Sequence, residues 1–513
     1  MQPLVRVTVK GSVVDNTHVQ LVWFKRDLRV VDHAPLRQAA ERGPVLPLYV
    51  AEPGLWDQPD TAARHWAFIA ESLLELRQVL ATLGQPLVVR VGEITRVLQD
   101  LQQRFAIDAV WSHEETGNDW TYQRDERVRD FLRTRSIALH ELPQNGVVRR
   151  LACRDGWSRR WESHMTAQQA VAPERLVPLE GIEPGVIPTA ADLGIKPDPC
   201  PQRQRGGRNS ALERLESFLA SRGKAYHAEM SSPVTAYDAC SRLSPHLAYG
   251  TLSIREVVQA NRSRRAEVKA QPAAVRGTWA KALAAFEGRL HWHCHFIQKL
   301  QSEPRIEFEN LHRACDNLRE GEFDPEKFDA WCGAATGFPF VDACMRALEA
   351  SGWINFRMRA MLMSFASYHL WLHWRQPAVF LARRFTDYEP GIHYAQSQMQ
   401  AGTTGINTFR IYNPVKQSQD QDPAGCFIRH WLPQLARVPD RWIHTPWEMD
   451  RRTQRMSRCV IGDDYPPPVV DHVAAAKAAR QQMGALRRGA ARAEGQKILQ
   501  RHGSRKGRLR VRT

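Results

Sequence analysis

Two arginines interrupt a run of residues that otherwise reads as a core helix. Over 355–370 the sequence is NFRMRAMLMSFASYHL, with Met358, Leu362 and Phe365 at helical spacing and Arg357 and Arg359 between them. A guanidinium drawn into a core requires an anionic partner. The loop after the helix offers two, Asp387 and Glu389. A second chemical signal is CSRLSP at 240–245. Ser241 and Ser244 bring hydroxyls, and a helix starting near Pro245 brings free backbone N–H groups at the positive end of its dipole. Together these make a diphosphate-type anion site. A third stretch, RLHWHCHF at 289–296, places Cys294 between two histidines. Neighbouring residues on a helix point in different directions and do not converge on one ion, so no metal site is expected there.

The elements that must carry these residues fall into two kinds. Strand-like runs at 19–24, 45–52, 86–92, 106–113 and 136–142 alternate with helical runs at 61–83, 93–105 and 121–134. That alternation predicts an α/β domain, a parallel sheet wound on both faces, over 15–142. Its first loop, WFKRDLRVVDHAPL, has no glycine and is not a dinucleotide fingerprint. The pattern weakens over 143–208, a linker rich in Pro, Gly, Arg and Trp. From 209 to 470 the chain reads as all-α, with helices near 211–222, 280–300, 339–350 and 355–370.

The totals set outer bounds. The chain has 513 residues and a formal charge of +16. Twelve Lys/Arg against two acids fall after residue 470, so 471–513 reads as a basic, disordered tail suited to a polyanion. There is no run of 18 apolar residues and no secretory signal, so neither a membrane span nor export is expected. Nine cysteines are scattered without a CxxC pair, which predicts reduced thiols in a cytoplasmic protein with no iron–sulfur or zinc centre.

Four strings, taken in order, carry a family resemblance. They are TGFPFVDACMRALEASGWINFRMR (336–359), DYE (387–389), FRIYNP (409–414) and FIRHWLPQL (427–435). Their order and spacing resemble the flavin domain of the photolyase/cryptochrome family. CSRLSPHLAYGTLS resembles the family's FAD-diphosphate segment, and the first loop resembles its N-terminal signature. The resemblance implies a Rossmann-like antenna domain followed by an all-α FAD-binding domain, and a function as a DNA photolyase that splits UV-induced pyrimidine dimers by an electron from reduced FAD. It implies FAD contacts from Tyr226, Ser241, Arg242, Leu243, Ser244, Arg359, Asp387, Glu389 and Tyr394. Arg357 and Arg410 match DNA phosphate contacts, Trp292 matches the tryptophan that stacks on the damaged base, and Trp374 the middle of an electron relay. The implied partner is DNA containing pyrimidine dimers, bound by a monomer away from any membrane. In the family the first domain can also carry a folate- or deazaflavin-type antenna.

The pocket departs from the family pattern in several places. The family's repair glutamate falls on Arg289 or, one register away, on Leu290. The flavin-side asparagine falls on Phe356, a lesion-facing methionine on Ala360, the asparagine near flavin N5 on His393 or Tyr394, and the first relay tryptophan near Gln398. Arg289 with Trp292 is the expected catalytic pair, since a guanidinium is a permanent donor for a dimer radical anion. The alternative is a cryptochrome-type blue-light receptor that binds FAD without repair.

Overall fold

Val, Leu, Ile and Trp crowd the five strand segments, and each becomes a strand of one sheet: β1 Thr17–Phe24, β2 Val45–Ala51, β3 Val88–Val91, β4 Phe105–His113 and β5 Ala138–Leu142. In this computed structural model, which describes residues 17–406, 409–486 and 490–502, the order is β3-β2-β1-β4-β5 with every pairing parallel. Side chains alternate across β1. Val22 and Phe24 pack under α1 (Ala34–Ala40) and α2 (Ala63–Thr82), while Val19, Leu21 and Trp23 pack under α3 (Ile94–Gln102) and α4 (Asp119–Thr134). Strand order reverses between β1 and β4, the position at which such sheets open a crevice.

The following segment is tied to both domains. Helix α5 (Trp157–Thr166) buries Trp157 and Trp161 among Phe218, Val257, Phe286 and Leu290. The tryptophans of the linker cluster are therefore packing, while Arg159 and Arg160 stay exposed. Beyond it lie α6 (Arg208–Ala220), the single turn α7 (Ser244–Ala248), α8 (Ile254–Ala270), α9 (Trp279–Ser302), α10 (Pro339–Ser351), α11 (Phe356–Ser364), α12 (Arg375–Arg384) and α13 (Pro390–Ala401). Helix α11 runs on into a single π turn, Phe365–His369. Helices α9 and α13 lie face to face, and a Cβ on Gly391 would stand 2.6 Å from the Ile297 backbone, so that crossing requires glycine.

The two domains lock through buried polar groups. Arg64 on α2 donates to Asp198 at 2.6 and 2.8 Å and to the carbonyls of Leu348 and Arg384. His65 bonds the Phe385 carbonyl at 2.9 Å. Gly250, at φ +66°, lets the helical domain press on the first loop, where a Cβ would meet the Arg26 carbonyl at 2.3 Å.

The expected disordered tail is corrected over its described residues. His472–Ala485 and Ala490–His502 form helices α14 and α15. Asp471 caps α14, and Ala476, Ala479 and Met483 recur at helical spacing as a buried stripe, with Lys477 and Arg480 exposed. On α15, Ile498 joins the Phe296 cluster and Arg501 reaches Glu303 at 2.7 Å. The stripe was there to read, but the charge obscured it. Residues 503–513 lie outside the described residues.

Two outcomes follow for stability. Arg64→Ala should lower the unfolding free energy by about 3 kcal/mol, the low end for a broken buried pair because Arg384 still holds Asp198; an unchanged denaturation midpoint would contradict the latch. Burial also keeps the His65 and His246 imidazoles neutral, pushed down to about 4 and about 3. The unfolded chain binds those protons near about pH 6.5, so stability is complete above that value and declines as pH falls toward about pH 4. Denaturant titrations across that window should show the decline, and a flat profile would contradict it.

Candidate functional site

A cavity of about 640 Å³ opens between α9, α11, α13 and the turn α7. Its fixed point is the pair that the apolar helix demanded. Arg359 donates from Nη1 and Nη2 to the two Asp387 oxygens at 3.0 and 2.8 Å, and from Nε to the Ile354 carbonyl at 2.8 Å. Its guanidinium lies 4.1 Å from the centre of the Phe385 ring. A fork-to-fork pair with a third bond to backbone fixes both side chains.

The other acid is used differently. Glu389 takes a 2.7 Å bond from Arg26, which arrives from the loop after β1 and also bonds the carbonyls of Ala248 and Tyr388. Burial raises the Glu389 carboxyl against the pull of Arg26. Arg357 pairs with neither acid, and it lines the cavity with a buried Nε that has no partner.

Ser241, Arg242, Leu243 and Ser244 all line the cavity. Arg242 adopts φ +60°, and its guanidinium lies 4.0 Å from the Trp353 ring centre and 4.7 Å from Tyr237. Its Nε bonds Gln204 at 3.0 Å, so this cation is held in the wall. Burial brings it down to about 10. Leu243 provides no side-chain cap for α7, which leaves the first N–H groups of that turn available to an anion.

At the mouth, Trp292 and Phe356 are 47% and 45% exposed. Arg289 spans them, its guanidinium 5.4 Å from one ring centre and 5.9 Å from the other. It also reaches the Tyr226 phenol inside. Leu290, the other register for the missing glutamate, is packed in the core. Arg410, exposed, completes the rim.

One expected cofactor contact does not line the cavity. Tyr394, on α13, points away from the cavity toward the domain seam, where its hydroxyl donates to Asp60 at 3.0 Å. On that helix His393, Gln396, Ser397 and Gln400 face inward, and Tyr394 lies one step of about 100° round from His393. Trp374 is fully buried, its indole N–H bonding Asn310 at 2.8 Å. Gln398 is structural and pins the backbone of Ile306, Glu309 and Leu311. Sequence reasoning missed Tyr388 and Cys240 as wall residues. It also missed Arg26 as the partner of Glu389, a contact between distant segments that no local pattern announces.

The histidine–cysteine stretch forms no cluster. His291 packs on Trp157 and Trp161, His295 bonds Arg154, and His293 faces the cavity. Among the described residues one trio, Asp27, His33 and His113, has ligand atoms within 4.8 Å of one another. Asp27 Oδ2 already bonds both rings, and the other His33 nitrogen accepts from the Leu36 N–H, so the trio reads as a structural network.

Fold and cavity together define a two-domain protein with a large polar-walled cavity in a helical bundle beside an α/β domain. Comparison with known proteins narrows this. Residues 286–485 match the FAD binding domain of DNA photolyase, and residues 20–154 match the DNA photolyase domain. A cryptochrome DASH from Gloeobacter violaceus is 31% identical over 482 residues, covering 89% of this chain and 94% of that protein. A deoxyribodipyrimidine photo-lyase from Alkalihalophilus pseudofirmus is 29% identical, covering 88% and 95%. A class III photolyase structure from Agrobacterium tumefaciens superposes with a TM-score of 0.79 at 26% identity, covering 93% and 100%. An archaeal photolyase from Sulfolobus tokodaii, solved with two FAD molecules, gives 0.73 at 25%, covering 91% and 100%. The chain belongs to the photolyase/cryptochrome family.

FAD is its cofactor, and the cavity fits it. Asn355 Oδ1, Arg357 Nε, Glu389 Oε1 and Gln396 Nε2 are buried without a protein partner, all on residues that line the cavity, as expected of a wall that a polar ligand completes. A second cavity, at the carboxyl ends of the strands, measures only about 80 Å³ between Trp23, Tyr49, Trp56 and Tyr388. It has room for a few waters, and an antenna chromophore there requires those rings to move.

Asp387→Asn should reduce flavin retained per protein more than Glu389→Gln. The first replaces one of the two oxygens that Arg359 bonds with an NH2 donor and removes the charge from the buried pair, at a cost of about 3–5 kcal/mol, whereas the second can keep the single oxygen that Arg26 bonds. Absorbance of the purified variants measures this, and equal flavin content would contradict it.

Proposed function

We propose that this protein is a light-driven DNA photolyase acting on pyrimidine dimers. The observation that carries the reading is the mouth: two exposed rings, Trp292 and Phe356, bridged by the Arg289 cation directly over a flavin-sized cavity. Exposed aromatics with an interleaved arginine suit bases swung out of the strand. Several relatives carry the name deoxyribodipyrimidine photo-lyase.

In this reading Ser241, Leu243 and Ser244 hold the FAD diphosphate, Arg359 and Asp387 orient the isoalloxazine, and Tyr226 closes the wall. Bound FAD supplies the light-driven electron. Trp292 and Phe356 stack on the extruded bases and exclude water. Arg289 keeps a permanent positive donor beside them, the role a protonated carboxylic acid would otherwise take. Arg357 and Arg410 engage phosphate and set the register of the strand. Apart from Asp387 and Glu389, both held by arginines, no described residue lining the cavity is acidic.

One observation favours a second reading, a blue-light receptor without repair: an arginine stands where the family places its glutamate, and a cryptochrome DASH is among the relatives. Illumination of the flavin-loaded protein with a dimer-containing oligonucleotide decides between them. Repair returns pyrimidine absorbance; an unmutated protein that splits no dimer leaves the receptor reading. Arg289→Ala should cut repair per photon by about tenfold or more with binding of damaged DNA nearly intact. Loss of binding with full yield on bound DNA would make Arg289 a phosphate contact instead.

A further inference from the structure

Asp60 lies in the connection before α2, at the seam between the domains, and is 2% exposed. Its Oδ2 accepts hydrogen bonds from the phenols of both Tyr388 and Tyr394, the latter at 3.0 Å, and from Asn118 Nδ2 at 3.3 Å. Its Oδ1 is buried with no protein partner. Tyr388 lines the flavin cavity. The ring of Tyr394 lies 6.4 Å behind it, nearly perpendicular, and that of Trp374 a further 6.3 Å on. Packing does not call for this arrangement. Two phenylalanines would fill the space, and a buried carboxylate is costly unless its bonds are used.

We propose that Tyr388, Tyr394 and Asp60 form a proton-coupled redox site that delivers electrons to the flavin cavity. Tyr388 gives one electron to light-excited oxidised FAD, its O–H bond breaks, and the proton passes to the Asp60 carboxylate. What remains is a neutral tyrosyl radical beside a neutral carboxylic acid. Tyr394 then gives an electron to that radical, whose oxygen recovers the proton from Asp60, while the Tyr394 phenol proton takes its place on the same carboxylate. The oxidising equivalent thereby moves one ring away from the cofactor, and the electron stays on the flavin. No positive charge builds up on either ring at any stage, which is the role of the shared acceptor. In the resting protein burial, followed by the charge of Asp60, raises both phenols far above the ordinary tyrosine range. Each O–H therefore stays intact until its ring is oxidised. The site rests on FAD in the cavity and is independent of dimer repair.

The competing account is that Asp60 only knits the domains together. The test uses the full-length holoprotein, with flavin content matched, and four forms: unmutated, Tyr388→Phe, Tyr394→Phe and Asp60→Asn, each nearly isosteric. Each is illuminated in the oxidised state in H2O and in D2O and followed by transient absorption and by electron paramagnetic resonance with ring-deuterated tyrosine. The unmutated protein should give a neutral tyrosyl radical whose formation slows in D2O. Tyr388→Phe should remove it, and Tyr394→Phe should leave a radical that decays faster. Asp60→Asn should form it about tenfold more slowly, equivalent to ~1.4 kcal/mol on the barrier, and lose the solvent effect. A signal confined to tryptophan, a radical formed at full rate in Asp60→Asn with folding intact, or no protein radical at all would each overturn the proposal.

Discussion

The cavity depends on one ion pair. Arg359 sits on a helix whose buried residues are apolar but for Ser364, and Asp387 meets its guanidinium with both oxygens. The pair ties α11 to the turn before α13. That turn sets the rotation of α13 and so decides that His393, Gln396 and Gln400 face the cavity while Tyr394 faces the domain seam. Without the pair the bundle would have no reason to keep a polar space of this size open.

The α/β domain completes the cavity as well as flanking it. Arg26, two residues past the end of β1, supplies the partner of Glu389, and Asp60 supplies the acceptor for Tyr388 and Tyr394. Arg64 and His65 bond the carbonyls of Arg384 and Phe385, just before Asp387. The geometry of the flavin site is therefore held from both sides of the seam. Interdomain contacts of this kind, buried and charged, resist the relative motion expected of two domains joined by a long linker.

Local signals were legible where the chemistry is local. Strand alternation, the apolar helix with its two arginines, and the serines before Pro245 each pointed to the element or contact that formed. Electrostatics alone leaves either acid open to either arginine, and the structure pairs Asp387 with Arg359. Three things did not show. The partner of Glu389 is 363 residues away in sequence. The direction of Tyr394 depends on a helix rotation set by tertiary packing, so a motif position one residue off reads as a wall residue. Net charge alone reads the tail as disordered, although Ala476, Ala479 and Met483 form a buried stripe at helical spacing. Charge on one face of a helix says little about the other face.

The central claim is that one cavity holds FAD against Arg359 and Asp387 and presents it to bases at Trp292 and Phe356. A crystal structure of the flavin-loaded protein with a dimer-containing oligonucleotide tests this directly. The account predicts the isoalloxazine beside the Arg359–Asp387 pair, the diphosphate at the Ser241–Ser244 backbone, and the extruded dimer between Trp292, Phe356 and Arg289. Flavin seated elsewhere, or DNA bound on a face away from Arg357 and Arg410, would contradict it.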